Sequence, residues 1–270
     1  MGSITLSYRD ASIPFSYVNE GKPIGYAIDI CAKLADAVRR ELKLPHLQVK
    51  YLPVTSATRV SAIVNGKADL ECGTTTNNVE RRQQVQFTIP HFVATARMLV
   101  STGFGVRDWP DLRDKRVAIT KGTTTIELVK ERNRIRSLNI KLIEAADHAA
   151  AFRLLAEGKA DAFAMDDVVL YGLRAGVIDP EQFSVVGAPL SAEPYAIMLP
   201  KDDSAFKAVI DREMARIIQD GEIYKLYDKW FKSAIPPDGM NLNMPMSHIL
   251  RGMFQYPTDK VNDLGAGVVK

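Results

Sequence analysis

The sequence predicts a two-lobed α/β protein, and three observations support this fold class. Strand-like apolar runs alternate with helical patterns, which is typical of α/β layers with largely parallel sheets. One helix–turn–strand segment occurs twice, as TRVSAIVNGKADLECG at 58–73 and as AAFRLLAEGKADAFAM at 150–165. Two extended stretches, 90–100 and 190–199, lie between elements of the two halves. Together these observations predict two lobes of similar build that are joined by two crossovers.

The individual elements follow from local patterns. Strands are predicted where β-branched and apolar residues cluster, at residues 4–7, 48–52, 69–72, 97–100, 116–120, 140–143, 161–165, 183–186 and 195–199. Helices are predicted where apolar residues recur at helical spacing, at residues 27–42, 59–64, 124–132, 149–156, 168–175 and 204–220. In each copy of the repeat a Gly-Lys-Ala-Asp turn follows the helix. Gly66 and Gly158 are therefore expected to end their helices in the left-handed conformation.

The two crossovers set the expected domain boundaries. Residues 1–92 and 193–270 are predicted to form the first lobe, and residues 93–192 the second. The aromatic residues of EIYKLYDKWF, at 222–231, recur at helical spacing and are expected to pack inside a lobe. Pro236 and Pro237 end that region, and the tail 238–260 is expected to be irregular with one short helix.

Composition excludes several classes of protein. Of the 270 residues, 46% are hydrophobic and 25% are charged, as in soluble globular proteins. The apolar runs are far shorter than the roughly 18–20 residues that a membrane helix needs. The formal charge is +3, from 35 basic and 32 acidic residues, which is too balanced to indicate a nucleic-acid or lipid surface. The basic run KERNRIRSLNIK at 130–141 is therefore interpreted as a solvated face, and no nucleic-acid partner is expected.

The two cysteines do not form a metal or redox motif. Cys31 and Cys72 lie 41 positions apart with no CxxC or Cys/His spacing, which excludes the common zinc frameworks. Two buried free thiols are expected, with a disulfide between them as the alternative. The 4 histidines also lack metal-ligand spacing, so no metal site is predicted.

No catalytic motif is present in the sequence. There is no GxSxG elbow, no HExxH pair and no P-loop. We therefore expect a binding protein rather than an enzyme, with no catalytic residue and no cofactor.

Short polar side chains follow the strands of the two repeat copies. Residues 74–76, all threonine, follow the first strand, and Asp166 and Asp167 follow the second. Because ligands gather at the carboxyl ends of strands in open α/β sheets, these two ends are expected to contribute to one shared site. The turn GTTT at 122–125 also follows a strand and precedes a helix, which is typical of a small-anion site. The alternative for this turn is an ordinary helix cap.

The order of several segments resembles a known family. The segments are SYRDASIPFSY, GYAIDI, GKADLECGTTTNNVERRQQVQFT, DLRDKRVAITKGTTT, AADHAAAFRLLAEGKADAFAMDD and IYKLYDKWF. In this order they resemble the type II periplasmic amino-acid-binding proteins of ABC transporters, over nearly the whole chain. TTTNNVER, AADH and IPPDGMNLN are similar to the glutamate/aspartate-binding branch. The resemblance implies a two-lobed periplasmic-binding-protein fold, in which two hinge strands allow the lobes to close on a ligand.

The resemblance also implies which residues bind the backbone groups of an amino acid. Arg81 matches the arginine that holds the α-carboxylate in a bidentate pair, with help from backbone amides near Thr76 and Thr124. Asp166 matches the carboxylate that takes the α-ammonium group, and Thr74 contributes a further acceptor.

Specificity is expected to come from a second group of residues. Where binders of neutral or basic amino acids place acidic or aromatic groups, this chain has Arg9, Ser12, Ser56 and Arg59. In the acidic branch the distal carboxylate is surrounded by the residues that match Arg9, Ser56, Arg59 and His148. The alternatives are a surface salt bridge for each arginine and a structural cap for His148.

Charge counting supports a dicarboxylic amino acid as the ligand. Such a ligand needs two cationic partners and one anionic partner. Arg81 and one of Arg59 or Arg9 supply the cations, and Asp166 supplies the anion. Glutamine would leave a buried arginine without its counter-ion, at a cost of roughly 2–5 kcal/mol. Thr74 stands where serine is usual in this branch, and its extra methyl group could shift the preference between aspartate and glutamate.

The expected function is that of a monomeric extracytoplasmic solute-binding protein. It captures L-glutamate or L-aspartate between two lobes and delivers it to a membrane ABC permease. The expected location is the periplasm, and because MGSITLSY enters a strand pattern at once, a signal peptide is expected to have been removed. Two alternatives are an enzyme resembling cyclohexadienyl dehydratases on the same fold, which would need a general acid at a strand end, and the ligand-sensing module of a receptor.

Overall fold

The structure, a computed structural model, describes residues 2–260. The β-strands are Gly2–Tyr8 (β1), Ala11–Ser12 (β2), Ser16–Asn19 (β3), Lys22–Ile24 (β4), Leu47–Pro53 (β5), Leu70–Glu71 (β6), Val85–Phe87 (β7), Phe92–Ala94 (β8), Ala96–Ser101 (β9), Arg116–Thr120 (β10), Lys141–Ala145 (β11), Ala162–Asp166 (β12), Phe183–Val186 (β13), Glu193–Tyr195 (β14) and Met198–Pro200 (β15). The α-helices are Tyr26–Glu41 (α1), Arg59–Val64 (α2), Val79–Arg82 (α3), Thr125–Arg136 (α4), His148–Ala156 (α5), Asp167–Ala175 (α6), Ser204–Gln219 (α7), Glu222–Tyr227 (α8) and His248–Gln255 (α9). Among residues 2–260, no helix combines the length and apolarity needed to cross a membrane.

The described chain divides into two compact units. Unit 1 comprises residues 2–54, 58–93 and 194–260, and unit 2 comprises residues 55–57 and 94–193. The chain leaves unit 1 within β8 and returns to it within β14, and these two crossover strands pair with each other. Residues 261–270, which the sequence assigns to the first lobe, lie outside the described residues.

Unit 1 is built on a five-stranded sheet with the order β5-β1-β6-β15-β7. β1 runs parallel to both β5 and β6. β15 lies between β6 and β7 and runs antiparallel to both. Helix α1 packs on β1 and β5, α2 packs on β6 and β15, and a small antiparallel sheet of β2, β3 and β4 completes the unit.

Unit 2 has a second five-stranded sheet with the order β11-β10-β12-β9-β13. β10 runs parallel to β11 and β12, whereas β9 runs antiparallel to β12 and β13. Its buried apolar core combines residues of β9, β10, β12 and α4 with Trp109, which is fully buried. Each unit therefore has its own sheet and its own core, as independent hydrophobic layers require.

The prediction of largely parallel sheets is wrong for part of each sheet. β15 in unit 1 and β9 in unit 2 are antiparallel to their neighbours. Both strands follow a crossover directly, whereas a parallel neighbour needs a helical connection within the same sheet. The predicted strand 195–199 is also two strands, β14 and β15. The chain breaks between them, because the N–H of Ala196 donates to the carbonyl of Thr75 and the N–H of Ile197 donates to the hydroxyl of Thr88.

The quasi-repeat has the same local structure in both units. α2 and β6 carry the first copy, and α5 and β12 carry the second. Gly66 and Gly158 have φ angles of 64° and 66°, which confirms the left-handed helix ends. The repeated aspartates, Asp69 and Asp161, each accept a hydrogen bond from a backbone N–H of the neighbouring parallel strand, at 2.7 and 2.8 Å. The Gly-Lys-Ala-Asp turn therefore both ends a helix and fixes the next strand in its sheet.

Cys31 and Cys72 form a disulfide within unit 1, so the expectation of two free thiols is wrong. Cys31 lies on the buried face of α1, and Cys72 directly follows β6. Because α1 packs against the sheet, the two Cα atoms lie 6.2 Å apart, within the range that a disulfide requires. The sequence separation could not reveal this proximity, which is created by the packing of the helix on the sheet.

An aromatic cluster fills the unit 1 core beside the crossover strands. The ring of Phe15 makes edge contacts with Phe92, Tyr195 and Phe231, at centroid distances of 5.0, 5.4 and 5.4 Å. All four side chains are buried. Phe92 lies in β8 and Tyr195 lies in β14, so both crossover strands contribute a buried aromatic side chain to the unit 1 core.

The segment after Pro236 agrees with the expectation of an irregular tail that contains one short helix, α9. Beyond α9, the carbonyl of Asp259 accepts a hydrogen bond from Asn77 Nδ2 at 3.2 Å, and its carboxylate pairs with Lys207 Nζ at 2.9 Å. The tail is therefore anchored both to α7 and to the loop that follows β6.

Candidate functional site

The residues predicted to bind a ligand lie, in unit 1, at the carboxyl ends of the parallel strands β1 and β6. Arg9 follows β1, Ser12 lies in β2, and residues 74–76 follow β6. Arg59 is the first residue of α2, and Arg81 lies in the short helix α3. This edge is where open α/β sheets bind their ligands.

Positive charge is concentrated around the loop at 74–76. Arg9 is only 2% exposed and Arg59 only 3%, so neither is a surface residue. Arg59 Nη1 donates to the carbonyl of Thr74 at 2.9 Å, and Arg81 Nη1 donates to the carbonyl of Thr76 at 2.9 Å. Because a guanidinium stays protonated even when it is buried, these contacts hold the loop with two cations.

Glu71 is a buried carboxylate of unit 1 that the sequence analysis missed. It lies in β6, is 0% exposed, and its Oε2 accepts a hydrogen bond from the Thr75 hydroxyl at 2.6 Å. A Cβ atom at Gly73 would lie 2.3 Å from Glu71 Oε1 and 3.0 Å from Arg9 Cγ. The glycine therefore allows the Arg9 stem to lie beside this carboxylate. The available signal was an acidic residue inside the apolar strand pattern ADLEC.

Three buried hydroxyl oxygens of the predicted site have no hydrogen-bond partner among residues 2–260. They belong to Ser12, Ser56 and Thr74. Ser12 and Thr74 lie in unit 1, and Ser56 is grouped with unit 2. Since buried polar groups in proteins are normally paired, these hydroxyls are candidates for hydrogen bonds to a ligand.

In unit 2 the predicted residues also lie at the carboxyl ends of parallel strands. Asp166 ends β12, Thr124 lies between β10 and α4, and His148 begins α5 after β11. Asp166 and His148 are each 1% exposed. Asp166 and His148 thus place a buried carboxylate and a buried imidazole at the edge of the unit 2 sheet.

His148 is not a helix cap, so that alternative is wrong. The cap of α5 is Asp147, whose side chain accepts from the N–H of Ala150 at 2.7 Å. His148 Nδ1 instead lies 3.0 Å from the hydroxyl oxygen of Thr120, at the end of β10. The hydroxyl orients the ring at the carboxyl edge of the sheet.

The neighbouring aspartates Asp166 and Asp167 have different surroundings. Asp167 accepts hydrogen bonds from the N–H and the hydroxyl of Thr95, at 3.1 and 2.9 Å, and from the N–H of Val168 at 2.7 Å. Burial raises the pKa of Asp167, although these hydrogen bonds oppose the shift. The carboxylate of Asp167 is therefore engaged by the backbone of its own unit. Asp166 Oδ1 lies 3.5 Å from the hydroxyl of Thr125, and Asp166 is the candidate of this pair for a ligand contact.

The turn before α4 is not capped in the ordinary way. Thr124 occupies the N-cap position, but its side chain accepts no hydrogen bond from the helix. Its hydroxyl donates to Glu193 Oε2 at 3.0 Å. Glu193 is 4% exposed and belongs to the crossover strand β14. Sequence reasoning also missed Glu193, although it is the one acidic residue in the stretch LSAEPYAIML.

Two sheets with ligand-competent polar groups at their carboxyl edges, joined by two crossover strands, define a binding protein of the two-lobed α/β class. Residues 4–233 match the model of the bacterial extracellular solute-binding proteins, family 3, and the chain belongs to this family. The expected family and the two-lobed α/β fold class are thereby confirmed.

Curated relatives are similar over most of the chain. An L-glutamate/L-aspartate-binding protein of Pseudomonas aeruginosa is 46% identical over 261 residues, which cover 96% of this chain and 86% of the relative. A glutamate/aspartate import solute-binding protein of Escherichia coli is 42% identical over 260 residues, with the same coverage of 96% and 86%. A glutamine-binding protein of an ABC transporter from Bacillus subtilis is 28% identical over 79% of this chain and 75% of its own length.

Solved structures show the same architecture. An ancestral arginine-binding protein bound to arginine has a TM-score of 0.76 and 26% identity, and the match covers 86% of this chain and 99% of that one. A solute receptor for L-cysteine from Neisseria gonorrhoeae has a TM-score of 0.75 and 25% identity, covering 85% of this chain and 89% of that one.

Proposed function

We propose that this protein is a monomeric solute-binding protein that captures L-glutamate or L-aspartate in the periplasm and delivers it to a membrane ABC permease. Residues of both units would hold the ligand. Three relatives named for glutamate and aspartate are 41–46% identical to this chain over 96% of its length, which supports this ligand class.

The observation that carries the proposal is the combination of buried cations and unpartnered buried hydroxyls in unit 1. Arg9 and Arg59 are almost fully buried at the sheet edge. Ser12 and Thr74 contribute hydroxyl oxygens that have no partner among residues 2–260. Anionic oxygens satisfy guanidinium and hydroxyl donors together, so an anionic ligand suits this edge better than a neutral one.

The family resemblance and the charges support a role for each of the predicted residues. We assign the α-carboxylate to Arg81 and the backbone amides near Thr76 and Thr124. The α-ammonium group is assigned to Asp166 and Thr74. The distal carboxylate is assigned to Arg9, Ser12, Ser56, Arg59 and His148. A ligand with two carboxylates and one ammonium group then finds an opposite charge for each of its own charges.

Isothermal titration calorimetry with glutamate, aspartate, glutamine, asparagine and arginine tests the proposal. We expect the two acidic amino acids to bind at least 30-fold more tightly than their amides. This ratio corresponds to the lower end of the roughly 2–5 kcal/mol that an unpaired buried charge costs. Tight binding of a neutral or basic amino acid, with no binding of glutamate or aspartate, would contradict the proposed ligand class.

Two arginine variants test separately the residues proposed to bind the α-carboxylate and the distal carboxylate. Arg81→Met should abolish binding of every amino acid, because all of them carry an α-carboxylate. Arg59→Met should weaken glutamate strongly but should not weaken glutamine, because only glutamate has a distal charge and the variant no longer leaves this arginine unpaired when glutamine binds. Arg113→Met changes an exposed arginine of unit 2 and serves as the matched control. Equal losses for glutamate and glutamine in Arg59→Met would contradict the distal role.

Thr74→Ser tests whether the methyl group affects the choice between the two acidic ligands. We expect the ratio of the aspartate and glutamate affinities to change, while both amino acids still bind, because the hydroxyl is retained. An unchanged ratio would show that the methyl group does not contribute to the preference.

A further inference from the structure

Asn78 is a polar residue of unit 1 to which the proposed function gives no role. It follows the loop at 74–76 and is the N-cap of α3, the short helix that carries Arg81. Its side-chain oxygen Oδ1 accepts a hydrogen bond from the backbone N–H of Arg81 at 2.9 Å. The backbone of Asn78 is extended, with φ −130° and ψ 167°, which is the usual conformation of a residue whose side chain caps the helix that follows.

Local hydrogen bonds, rather than burial, hold α3 in place. The helix consists of 4 residues, and none of them is fully buried. A single helical turn is unstable by itself in water, because its few hydrogen bonds do not offset the ordering of its residues. At the start of α3, Asn78 accepts twice: its side chain accepts from Arg81, and its carbonyl accepts from the N–H of Arg82 at 3.1 Å. The position of Arg81 therefore depends on Asn78.

The segment before Asn78 has a firmer anchor. Thr76 forms an isolated antiparallel bridge with Tyr195, which ties its backbone to β14. Arg81 Nη1 in turn donates to the carbonyl of Thr76 at 2.9 Å. The two groups that unit 1 would offer to the ligand α-carboxylate are the Arg81 guanidinium and the backbone near Thr76. Both lie in the one short segment 76–81, and Asn78 is the residue at which this segment turns into α3.

We infer that Asn78 is a positioning residue for the ligand α-carboxylate: by capping α3, it holds the Arg81 guanidinium beside the Thr76 backbone. This inference rests on the proposed function. Without the cap, α3 would be open for part of the time in the ligand-free protein, and only the fraction with a formed α3 would be ready to bind. The apparent affinity falls with that fraction. Because every amino acid has an α-carboxylate, the loss should be equal for all ligands, unlike the loss expected for Arg59→Met.

Calorimetry with glutamate, aspartate and glutamine tests the inference on the wild type, Asn78→Ala and Asn78→Ser. Asn78→Ala removes the acceptor, and we expect every ligand that binds the wild type to bind roughly fivefold more weakly, which corresponds to the typical strength of such a cap. The ratios between the ligand affinities should stay within about twofold of those of the wild type. Serine is as good an N-cap as asparagine, so Asn78→Ser should recover most of the affinity.

Ser247→Ala is the matched control, because it removes an N-cap of the same unit at a helix that carries no predicted site residue. Ser247 caps α9, and its side chain accepts from the N–H of Leu250 at 3.2 Å. Both Ser247→Ala and Asn78→Ala should lower the free energy of unfolding in urea. Only Asn78→Ala should change the ligand affinities. Circular dichroism checks that every variant is folded.

Three results would overturn the inference alone, in a wild type that binds glutamate or aspartate. One is an affinity loss in Ser247→Ala equal to that in Asn78→Ala, because a general loss of stability would then explain both. The others are unchanged affinities in Asn78→Ala and a loss that is confined to the acidic ligands. A wild type that binds neither glutamate nor aspartate would overturn the proposed function and the inference with it.

Discussion

His91 should make unit 1 lose stability in mild acid. Its side chain is 0% exposed, among the rings of Phe15 and Tyr26 at centroid distances of 6.1 and 5.5 Å. Neither ring nitrogen has a hydrogen-bond partner among residues 2–260. Burial without a partner disfavours the charged imidazolium and lowers the pKa of His91 from 6.5 to about 3.

The sign and size of the effect follow from linkage. Because the folded pKa is the lower one, the unfolded chain takes up the proton first as the pH falls. The contribution of His91 to stability is therefore complete above about pH 6.5 and is lost progressively as the pH falls toward 3. Each pH unit in this window costs about 1.4 kcal/mol. Between pH 7 and pH 5 the loss amounts to about 2 kcal/mol, since only the part below 6.5 counts.

Urea unfolding of the wild type and His91→Met at pH 7 and pH 5 measures this loss. Methionine fills the space without a titrating group. We expect the free energy of unfolding to fall between the two pH values by about 2 kcal/mol more in the wild type than in the variant. His248→Met removes an exposed histidine of the same unit and should leave the wild-type difference unchanged. Equal pH dependence in the wild type and His91→Met would refute the reasoning.

Two further predictions concern stability. Replacing both Cys31 and Cys72 by alanine should lower the free energy of unfolding by about 4 kcal/mol, because the disulfide closes a long loop in the unfolded chain; a change below about 1 kcal/mol in urea melts would contradict this estimate. Arg216→Met should cost about 1–3 kcal/mol, since Arg216 donates to Glu213, whose side chain is only 6% exposed. Arg134→Met removes a pair whose arginine side chain is 72% exposed, so its loss of stability should be much the smaller of the two. Equal losses in the two arginine variants would show that the burial of Glu213 is unimportant.

The architecture was predictable where it depends on local sequence. Helix 59–64 and strand 116–120 have the predicted bounds, and the glycines of both repeat copies have the predicted conformation. The small sheet of β2, β3 and β4 was not predicted, because its strands have only 2, 4 and 3 residues and give no periodic signal. The predictions of largely parallel sheets and of two free thiols were wrong for a different reason. Strand direction and disulfide formation both depend on how distant segments pack together.

The candidate site was also predictable only where it depends on local sequence. Polar residues at strand ends could be recognised from the sequence, because the edge of an α/β sheet collects them. Glu71 and Glu193 could not be assigned in this way. Each acts on a single threonine hydroxyl, over 2.6 and 3.0 Å, and that pairing exists only once the chain is folded. The roles of the site residues themselves stay predictions for the binding experiments.

The placement of β15 between β6 and β7 has a consequence for how the chain matures. β6 and β7 end by residue 87, but the strand that joins them begins at residue 198. During synthesis or export, every strand of the unit 2 sheet is therefore available once residue 186 has been reached. At that point the sheet of unit 1 still lacks β15 and is divided in two. Until residues 198–200 are present, β6 and β7 each have an edge with unpaired backbone groups. Unpaired edges of this kind promote aggregation. Unit 1 begins the chain, but its sheet is completed after that of unit 2.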